Sequence, residues 1–504
     1  MENYLDFSVF WRWTAMIMLA GGLFSAAILS SLTRGNVRKG LGLVGVIFGL
    51  VLIPFIWVQG IAVIWSIFLT SVALTTIVNA GRMHAARFND RDKAFNALID
   101  TLALAVLFLC GAGLSQIVSG MFFNLAVVML ALILGIDGVY RIIFAYRHYR
   151  FPSGPASDEL PSLTLAIPAR NETRELADCL MAACASDYKK LEIIVLDDCS
   201  QDRTSHVIRS FAQDGVQFVQ GDKPADGWLG KNYAMSQLTK HANGEYIAYM
   251  GVDTRLSQES LSRLMSVMIL QKLDMISVLP RRDYAWQFSG IMETIRYFWQ
   301  MVLPPTSWRT PVSSSIWLIR REALDRLGSF AHQKYKVLPE NHFARALIKD
   351  KKYSFFTSNQ TLGIFDAKKW SSQVETAIRT LYPKFHRHPV EILGSIWLHL
   401  VLLAPYVMLI LAPVNQSLGV LFYVSLAAVV VIGSTGMLSA RLVRSSWPLT
   451  FITFPLQITQ NIILHIMSVI AYEFGEVNWK SRNICYPVMV PSRTNDKTDK
   501  SIKL

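Results

Sequence analysis

Apolar and polar positions divide this chain into blocks. Long apolar stretches fill residues 9–31, 40–58, 60–79, 98–118 and 121–146, and recur at 391–413, 417–438 and 449–472. Each is close to the ~20 residues that a helix needs to cross the hydrocarbon core of a bilayer. Residues 151–388, between the two sets, are polar and patterned differently. Short runs of branched and apolar residues at 163–167, 192–196 and 246–250 read as buried strands, and 172–185 has helical spacing. A strand–helix–strand unit favours a parallel sheet with right-handed crossovers. Ligands bind beyond the carboxyl ends of the strands in such sheets. The pattern predicts a transmembrane block of about five helices over 1–150, an α/β domain over 151–388, a block of about three helices over 389–475, and a basic tail over 476–504.

Composition agrees with membrane spans. The chain is 52% hydrophobic and 17% charged, less charged than a soluble protein of 504 residues. The excess of 49 Lys and Arg over 36 Asp and Glu reads as loop charge on one side of a membrane. It does not read as a nucleic-acid surface, because no basic stripe with interleaved aromatics accompanies it. Loop 33–39 carries Arg34, Arg38 and Lys39, and loop 80–96 carries Arg82, Arg87, Arg91 and Lys93. Arg147 and Arg150 follow the fifth span, whereas turns 58–60 and 119–120 carry no positive charge. This alternation places the polar domain in the cytosol and the N-terminus outside a cell or inner membrane. Three later spans would put the tail outside, yet Lys480, Arg482, Arg493, Lys497, Lys500 and Lys503 suit the inside. Pro448 and Pro455 make the last apolar stretch a candidate re-entrant segment. The first apolar stretch is too long for a signal-peptide core. Cys110, Cys179, Cys184, Cys199 and Cys485 show neither metal-type nor disulfide spacing. Of the acids near spans, Asp100 reads as an interfacial helix end and Asp137 as the partner of a neighbouring helix.

The chemistry-bearing motifs fall at predicted strand ends. Ile-Pro-Ala-Arg-Asn-Glu at 167–172 and Leu-Asp-Asp-Cys-Ser at 196–200 follow the first two strands, and Gly-Val-Asp at 251–253 follows the third. Asp197 or Asp198 suits the N3–H of a uracil-type base, and equally suits a turn that the carboxylate caps. Asp253 suits Mg²⁺ or Mn²⁺, which take a few carboxylates plus substrate phosphates, and equally suits a helix N-cap. Gly227-Trp-Leu-Gly-Lys231 offers backbone freedom, an aromatic face at Trp228 and a cation for phosphate at Lys231. Arg281 and Arg282 precede the aromatic, Met-rich stretch 286–305, which reads as a membrane-surface helix against acceptor lipid or as ordinary core packing. Residues 370–387, basic and aromatic ahead of a span, read as an interfacial helix.

Taken in order, these motifs resemble the family 2 inverting glycosyltransferases of the Rossmann-like GT-A fold. The likeness runs over about 160–390 and is strongest to the membrane-bound branch that glycosylates lipids, such as ceramide, carotenoid or hopanoid glycosyltransferases. Val195-Leu-Asp-Asp-Cys-Ser200, Gly227-Trp-Leu-Gly-Lys231, Tyr249-Met-Gly-Val-Asp253, Leu279-Pro-Arg-Arg282, Glu340-Asn341 and the late Val477-Asn-Trp-Lys-Ser-Arg482 carry it. The resemblance implies a GT-A domain inserted between two transmembrane blocks, an NDP-sugar donor (a UDP-sugar foremost), a membrane lipid acceptor such as a glycolipid or polyprenyl phosphate, and a divalent metal. It implies a substrate site of Ala169, Glu172, Asp197, Asp198, Trp228, Lys231, Arg281 and Arg282. By the same resemblance Asp253 is the metal ligand, and Glu340 and Asn341 stand where the family carries its general base.

Two departures bear on chemistry. Gly251 occupies the first acid of Asp-x-Asp, and Asn341 occupies the base. An amide takes no proton from a hydroxyl. Either Glu340 serves one position over, or the acceptor oxygen arrives ionised, or the domain is a silent scaffold that binds nucleotide-sugar, lipid or a partner subunit. The Gln-x-x-Arg-Trp motif is absent, which argues against a processive polysaccharide synthase. The first 150 residues show no internal repeat of the kind seen in transporters.

Overall fold

The computed structural model describes the chain except residues 1–6, 34, 60–62, 85–90, 118–119, 153–158, 283–291, 293–309, 386, 412–418, 444–446, 475–476, 480–481 and 484–504. Apart from Met292, the 286–305 stretch up to residue 305 lies outside these described residues, as does nearly all of the basic tail.

Five long helices open the chain: α1 (Phe7–Leu32), α2 (Gly35–Val58), α3 (Val63–His84), α4 (Arg91–Ile117) and α5 (Gly120–His148). Among the described residues, α1, α2, α4 and α5, together with the three long C-terminal helices, are long and apolar enough to cross a membrane. α3, over the stretch that reads as a span at 60–79, carries Ser66, Ser71, Thr75, Thr76, Asn79 and Arg82, and packs against α1, α2 and α4. Its polar groups are thus covered by protein: Thr76 and Asn79 are fully buried.

The polar domain starts as α5 ends. Thr357 N donates to Tyr149 O at 2.6 Å, so the chain enters alongside the domain's edge strand. Its elements are β1 (Leu163–Ala169), α6 (Thr173–Cys184), β2 (Leu191–Asp197), α7 (Thr204–Ser210), β3 (Val216–Gln220), α8 (Gly230–His241), β4 (Tyr246–Met250), β5 (Thr254–Leu256), α9 (Ser260–Leu270), β6 (Met275–Leu279), β7 (Ile316–Arg320), α10 (Arg321–Arg326), α11 (Pro339–Lys349), β8 (Tyr353–Thr357) and β9 (Ile364–Asp366). Seven strands form one sheet in the order β3-β2-β1-β4-β7-β6-β8. The expected parallel arrangement holds for β1 to β4. It breaks at β7, which runs antiparallel to both β4 and β6, so the sheet is mixed and GT-A-like.

The strands are apolar on both sides because helices cover both faces. One core holds Leu165, Ile167, Val195, Ala248 and Leu318 under α6 and α9. The other holds Ala166, Ile194 and Tyr249 under α8 and α11, where Trp317 stacks on Tyr249 at 4.5 Å. β5 and β9 form a separate antiparallel pair beside the sheet.

Four helices complete the chain: α12 (Trp370–Lys384), α13 (Pro389–Leu411), α14 (Val420–Val443) and α15 (Trp447–Phe474). Although α5 precedes the domain, it packs chiefly with α13, α14 and α15, while Phe123 near its start stacks on Trp65 of α3 at 4.0 Å. A Cβ on Gly135 of α5 would come within 3.0 Å of Ile432 and Val431, and Thr435 Oγ1 donates to Gly135 O at 3.0 Å, so the two helices meet through the missing side chain. Asp137 pairs with Arg141 of its own helix, not with a neighbouring helix as the sequence suggested, because the i,i+4 spacing puts the two on one face. Asp100, near the start of α4, faces His388 at 3.4 Å.

The end of α14 and the end of α15 touch the polar domain or its connection to α13. At the end of α14, Val443 O accepts from Arg282 N at 3.2 Å. At the end of α15, buried Glu473 meets Arg82 at 3.1 Å and Arg387 at 3.4 Å, while Tyr472 OH donates to Arg379 O.

Candidate active site

Strand order reverses between β1 and β4: β2 and β3 lie on one side of β1, and β4 starts the other side. Chains leaving the two central strands diverge there and leave a crevice, which is where sheets of this kind bind ligands. A cavity of about 610 Å³ opens at this point, lined by Pro168 near the end of β1, by Met250 at the end of β4, and by Gly251, Val252, Asp253 and Thr254 after it.

The β1 and β2 loops are tied to each other. Register pairs Ala169 with Asp197 at the strand ends. Asn171 N donates to Ser200 Oγ at 3.0 Å, Glu172 N to Thr204 Oγ1 at 2.9 Å, and Gln201 N to Asn171 Oδ1 at 2.9 Å. Asp197 is buried and accepts from Ser200 N at 3.0 Å and from Ser205 Oγ, so it caps its own turn. Asp198 is also buried; its N–H donates to Ala169 O and its carbonyl accepts from the Arg170 guanidinium. Asp202 accepts from the hydroxyls of Thr173 and Thr204. Burial opposes its ionisation, but those hydrogen bonds outweigh it and hold the carboxyl below the usual aspartate range. Of this group Asn171, Glu172 and Asp202 line the cavity, whereas Ala169, Asp197 and Asp198 lie behind the wall.

Asp253 lines the cavity after β4 and faces Lys368 Nζ at 3.8 Å. The 366–369 segment is held there by the β5–β9 pairing, in which Thr254 partners Asp366. Ala367 N donates to Asp253 O at 3.0 Å. Lys369 meets Glu175 at 2.9 Å on the same rim. Gly251 opens to space: a Cβ there would meet only Ser315 O, at 3.7 Å. Among the described residues no three metal-ligating side chains cluster. A lone carboxylate fits Mg²⁺ or Mn²⁺ when a diphosphate and waters supply the remaining oxygens.

Glu340 and Asn341 open α11 and separate in space. Asn341 lines the cavity. Glu340 is 1% exposed, accepts from Ser314 Oγ, and faces Lys231 Nζ at 3.8 Å. Lys231 itself lines the cavity at the start of α8. Burial pulls its ammonium below the usual lysine range, and Glu340 opposes that pull.

Trp228, Arg281 and Arg282 do not line this cavity. Trp228 packs edge-on against Tyr233 and against the α8 core. Arg281 pairs by backbone with the β9 region. Arg282, 6% exposed, faces Asp366 at 3.6 Å and donates to Lys368 O at 3.0 Å, bracing the segment that carries Lys368.

The opposite wall is α12. Its spacing separates two faces. Ser372, Thr376, Arg379, Thr380 and Lys384 line the cavity, while Val374, Ala377, Ile378 and Leu381 pack with Leu464 of α15. Ser468 Oγ donates to Ile378 O and accepts from Tyr382 N at 3.0 Å. The sequence showed residues 370–387 as an interfacial helix but gave no sign that their polar face closes this site.

Residues 164–328 match the family described as Glycosyl transferase family 2, so the chain carries a family 2 glycosyltransferase domain. The 4,4'-diaponeurosporenoate glycosyltransferase of Staphylococcus aureus (strain bovine RF122 / ET3-1) is 34% identical over 142 residues, 28% of this chain and 36% of that one. The beta-monoglucosyldiacylglycerol synthase of Trichormus variabilis is 22% identical over 208 residues, 40% of this chain and 44% of that one. The match thus spans less than half the length of either relative. Among solved structures, a mannosyltransferase from Pyrobaculum calidifontis in complex with GDP-Man and Mn2+ is 19% identical, with a TM-score of 0.43 over 69% of this chain and 98% of that one.

Proposed function

We propose that this chain transfers a sugar from an NDP-sugar to a membrane lipid, with inversion at the anomeric carbon. The observation that carries the reading is the cavity itself. It opens at the switch point of the family 2 domain, and its far wall is a helix whose other face packs on α15. A soluble donor entering from the sheet side and a lipid entering along α12 meet in one crevice.

The donor's nucleotide lies against the β1 and β2 loops, and its diphosphate points to Asp253, Lys231 and Lys368. A divalent cation held by Asp253 neutralises the departing diphosphate when bound. Lys231 adds positive charge at the same place, and Glu340 positions it from behind the wall. Dry, fixed charges of this kind stabilise a leaving group more than water does. The lipid-glycosylating names of two relatives support the acceptor class. The contacts at the ends of α14 and α15 support a tail on the domain's side of the membrane, with that side the cytosol.

Release of nucleoside diphosphate tests the donor half. Protein purified in detergent with native lipids is offered a panel of NDP-sugars with Mn²⁺ or Mg²⁺. The reading expects release with one donor and its loss in Asp253→Ala. Release with none, lipid extract included, overturns it.

A further inference from the structure

We infer that the first helical block acts on the proposed transfer from a distance: Arg82 and Asp100 are positioning residues that fix the α12 wall of the cavity through Glu473 and the turn after α12. This rests on the glycosyltransferase reading above and adds to it residues far from the strand-end motifs.

Three features point there. The first is the turn itself. α12 gives way to α13 within residues 385–388. Phe385 N and Arg387 N both donate to Tyr382 O at 3.1 Å, and His388 N donates to Phe385 O at 2.7 Å. Arg387 takes the left-handed backbone, with a φ of 58°. A residue with a side chain stays in that region only where its surroundings hold it.

The second is what holds it. Glu473, at the end of α15, has no exposed side-chain surface. It stands between two guanidiniums, Arg387 of the turn at 3.4 Å and Arg82 of α3 at 3.1 Å. Beside Arg387, His388 meets Asp100 of α4 at 3.4 Å. Two consecutive side chains thus tie the turn to α3, α4 and α15. Leu393 and Trp397 of α13 carry the contact on into the core of the first block, where Trp397 meets Phe68 edge-on at 5.0 Å. A buried carboxylate with two cations is a costly way to hold helices together, because apolar packing does so without desolvating charge. What it adds is direction, since a planar guanidinium binds a carboxylate over a narrow range of positions.

The third is what the turn carries. Arg379, Thr380 and Lys384 line the cavity from the last turns of α12. Tyr472, next to Glu473, donates from its hydroxyl to Arg379 O at 2.7 Å, and its ring lies 5.4 Å from the Arg387 guanidinium. Tyr472 and Tyr382 share a buried cluster with Leu229, which stands just before α8 and its Lys231. The two sides of the cavity therefore meet at this hub, α12 on one and the start of α8 on the other. Loss of the hub moves α12 relative to Lys231 and leaves the β1 and β2 loops untouched.

The test uses the full chain in detergent with native lipid extract and the active donor. Calorimetric binding of that donor's nucleoside diphosphate with Mn²⁺ counts intact sites, and transfer into lipid is expressed per intact site. Glu473→Gln and Arg82→Gln are expected to lower kcat/KM for lipid on the order of 10²-fold, the scale of a ~1 Å misplacement of reacting groups, with nucleoside diphosphate affinity unchanged. Asp100→Asn lowers it in the same direction, and Arg82→Lys, which keeps the charge but not the planar fork, falls between Arg82→Gln and wild type. Should Glu473→Gln not fold, Asp100→Asn and Arg82→Lys carry the same comparison. A role confined to stability lowers the melting midpoint and the number of intact sites but leaves transfer per site as in wild type; that result overturns the inference. Loss of nucleoside diphosphate affinity in step with transfer also overturns it, because the defect then lies on the sheet side. Wild type that releases no nucleoside diphosphate from any donor overturns the glycosyltransferase reading, and the inference with it.

Discussion

Lys231 Nζ stands 3.8 Å from Glu340 Oε2, the acid almost fully buried and the amine at the cavity wall. The pair converts what the sequence presents as a base into a support for a cation. Removing one partner of a buried pair leaves an uncompensated charge and costs about 3–5 kcal/mol, while replacing both is far milder. Lys231→Met is expected to lower unfolding stability on that scale, and Lys231→Met combined with Glu340→Leu to recover much of it. A double-mutant cycle in detergent reads the coupling; additive losses would contradict the pairing.

Gly251 has room for a side chain, with only Ser315 O at 3.7 Å from a built Cβ. Gly251→Asp is therefore expected to fold normally and to set a second carboxylate two residues from Asp253. Mn²⁺ affinity in the presence of nucleoside diphosphate should rise by about tenfold, since hard cations gain from each added carboxylate. Calorimetric titration checks it, and unchanged affinity argues that Asp253 does not face the metal.

Arg282 binds three things at once: Asp366, Lys368 O and, through its own N–H, Val443 O. Arg282→Met should cost about 3–5 kcal/mol of stability by stranding Asp366. It should also raise KM for the donor, because Lys368 loses its brace. A variant that melts as wild type does would place no structural weight on this contact.

His342 on α11 is half-buried, and burial, followed by Lys336, His332 and Arg345 nearby, depresses its pKa below 6.5. Below pH 6.5 the unfolded chain then binds more protons than the folded one, so stability falls as pH drops until the depressed folded value is reached, and is recovered above 6.5. The melting midpoint should decline between pH 7.5 and 5.5, and less so in His342→Asn. An equal decline in both would assign the acid sensitivity elsewhere.

Much of this architecture was legible in the sequence. The branched apolar runs read as strands at 163–167, 192–196 and 246–250 are strands Leu163–Ala169, Leu191–Asp197 and Tyr246–Met250, the first two a residue or two longer at their ends. The antiparallel β7 was not legible, because strand direction depends on which edge a distant segment reaches. Motif residues read well as positions and less well as orientations. Asp197 turns back to cap Ser200, and Glu340 turns behind the wall while Asn341 faces the cavity; one residue of helical rotation decides the second case. The α12 wall was hidden for another reason. Its polar face looks like a solvated or membrane-facing surface until the fold brings it against the sheet.

Transfer of a labelled sugar into lipid tests the central claim most directly. Purified protein is incubated with a radiolabelled NDP-sugar, Mn²⁺ and an extract of native membrane lipids, and the organic phase is counted after extraction. The account predicts label in a lipid product made by wild type and lost by on the order of 10²-fold or more in Asp253→Ala. Nucleoside diphosphate released while all label stays water-soluble, or label reaching lipid equally well in Asp253→Ala, would contradict it.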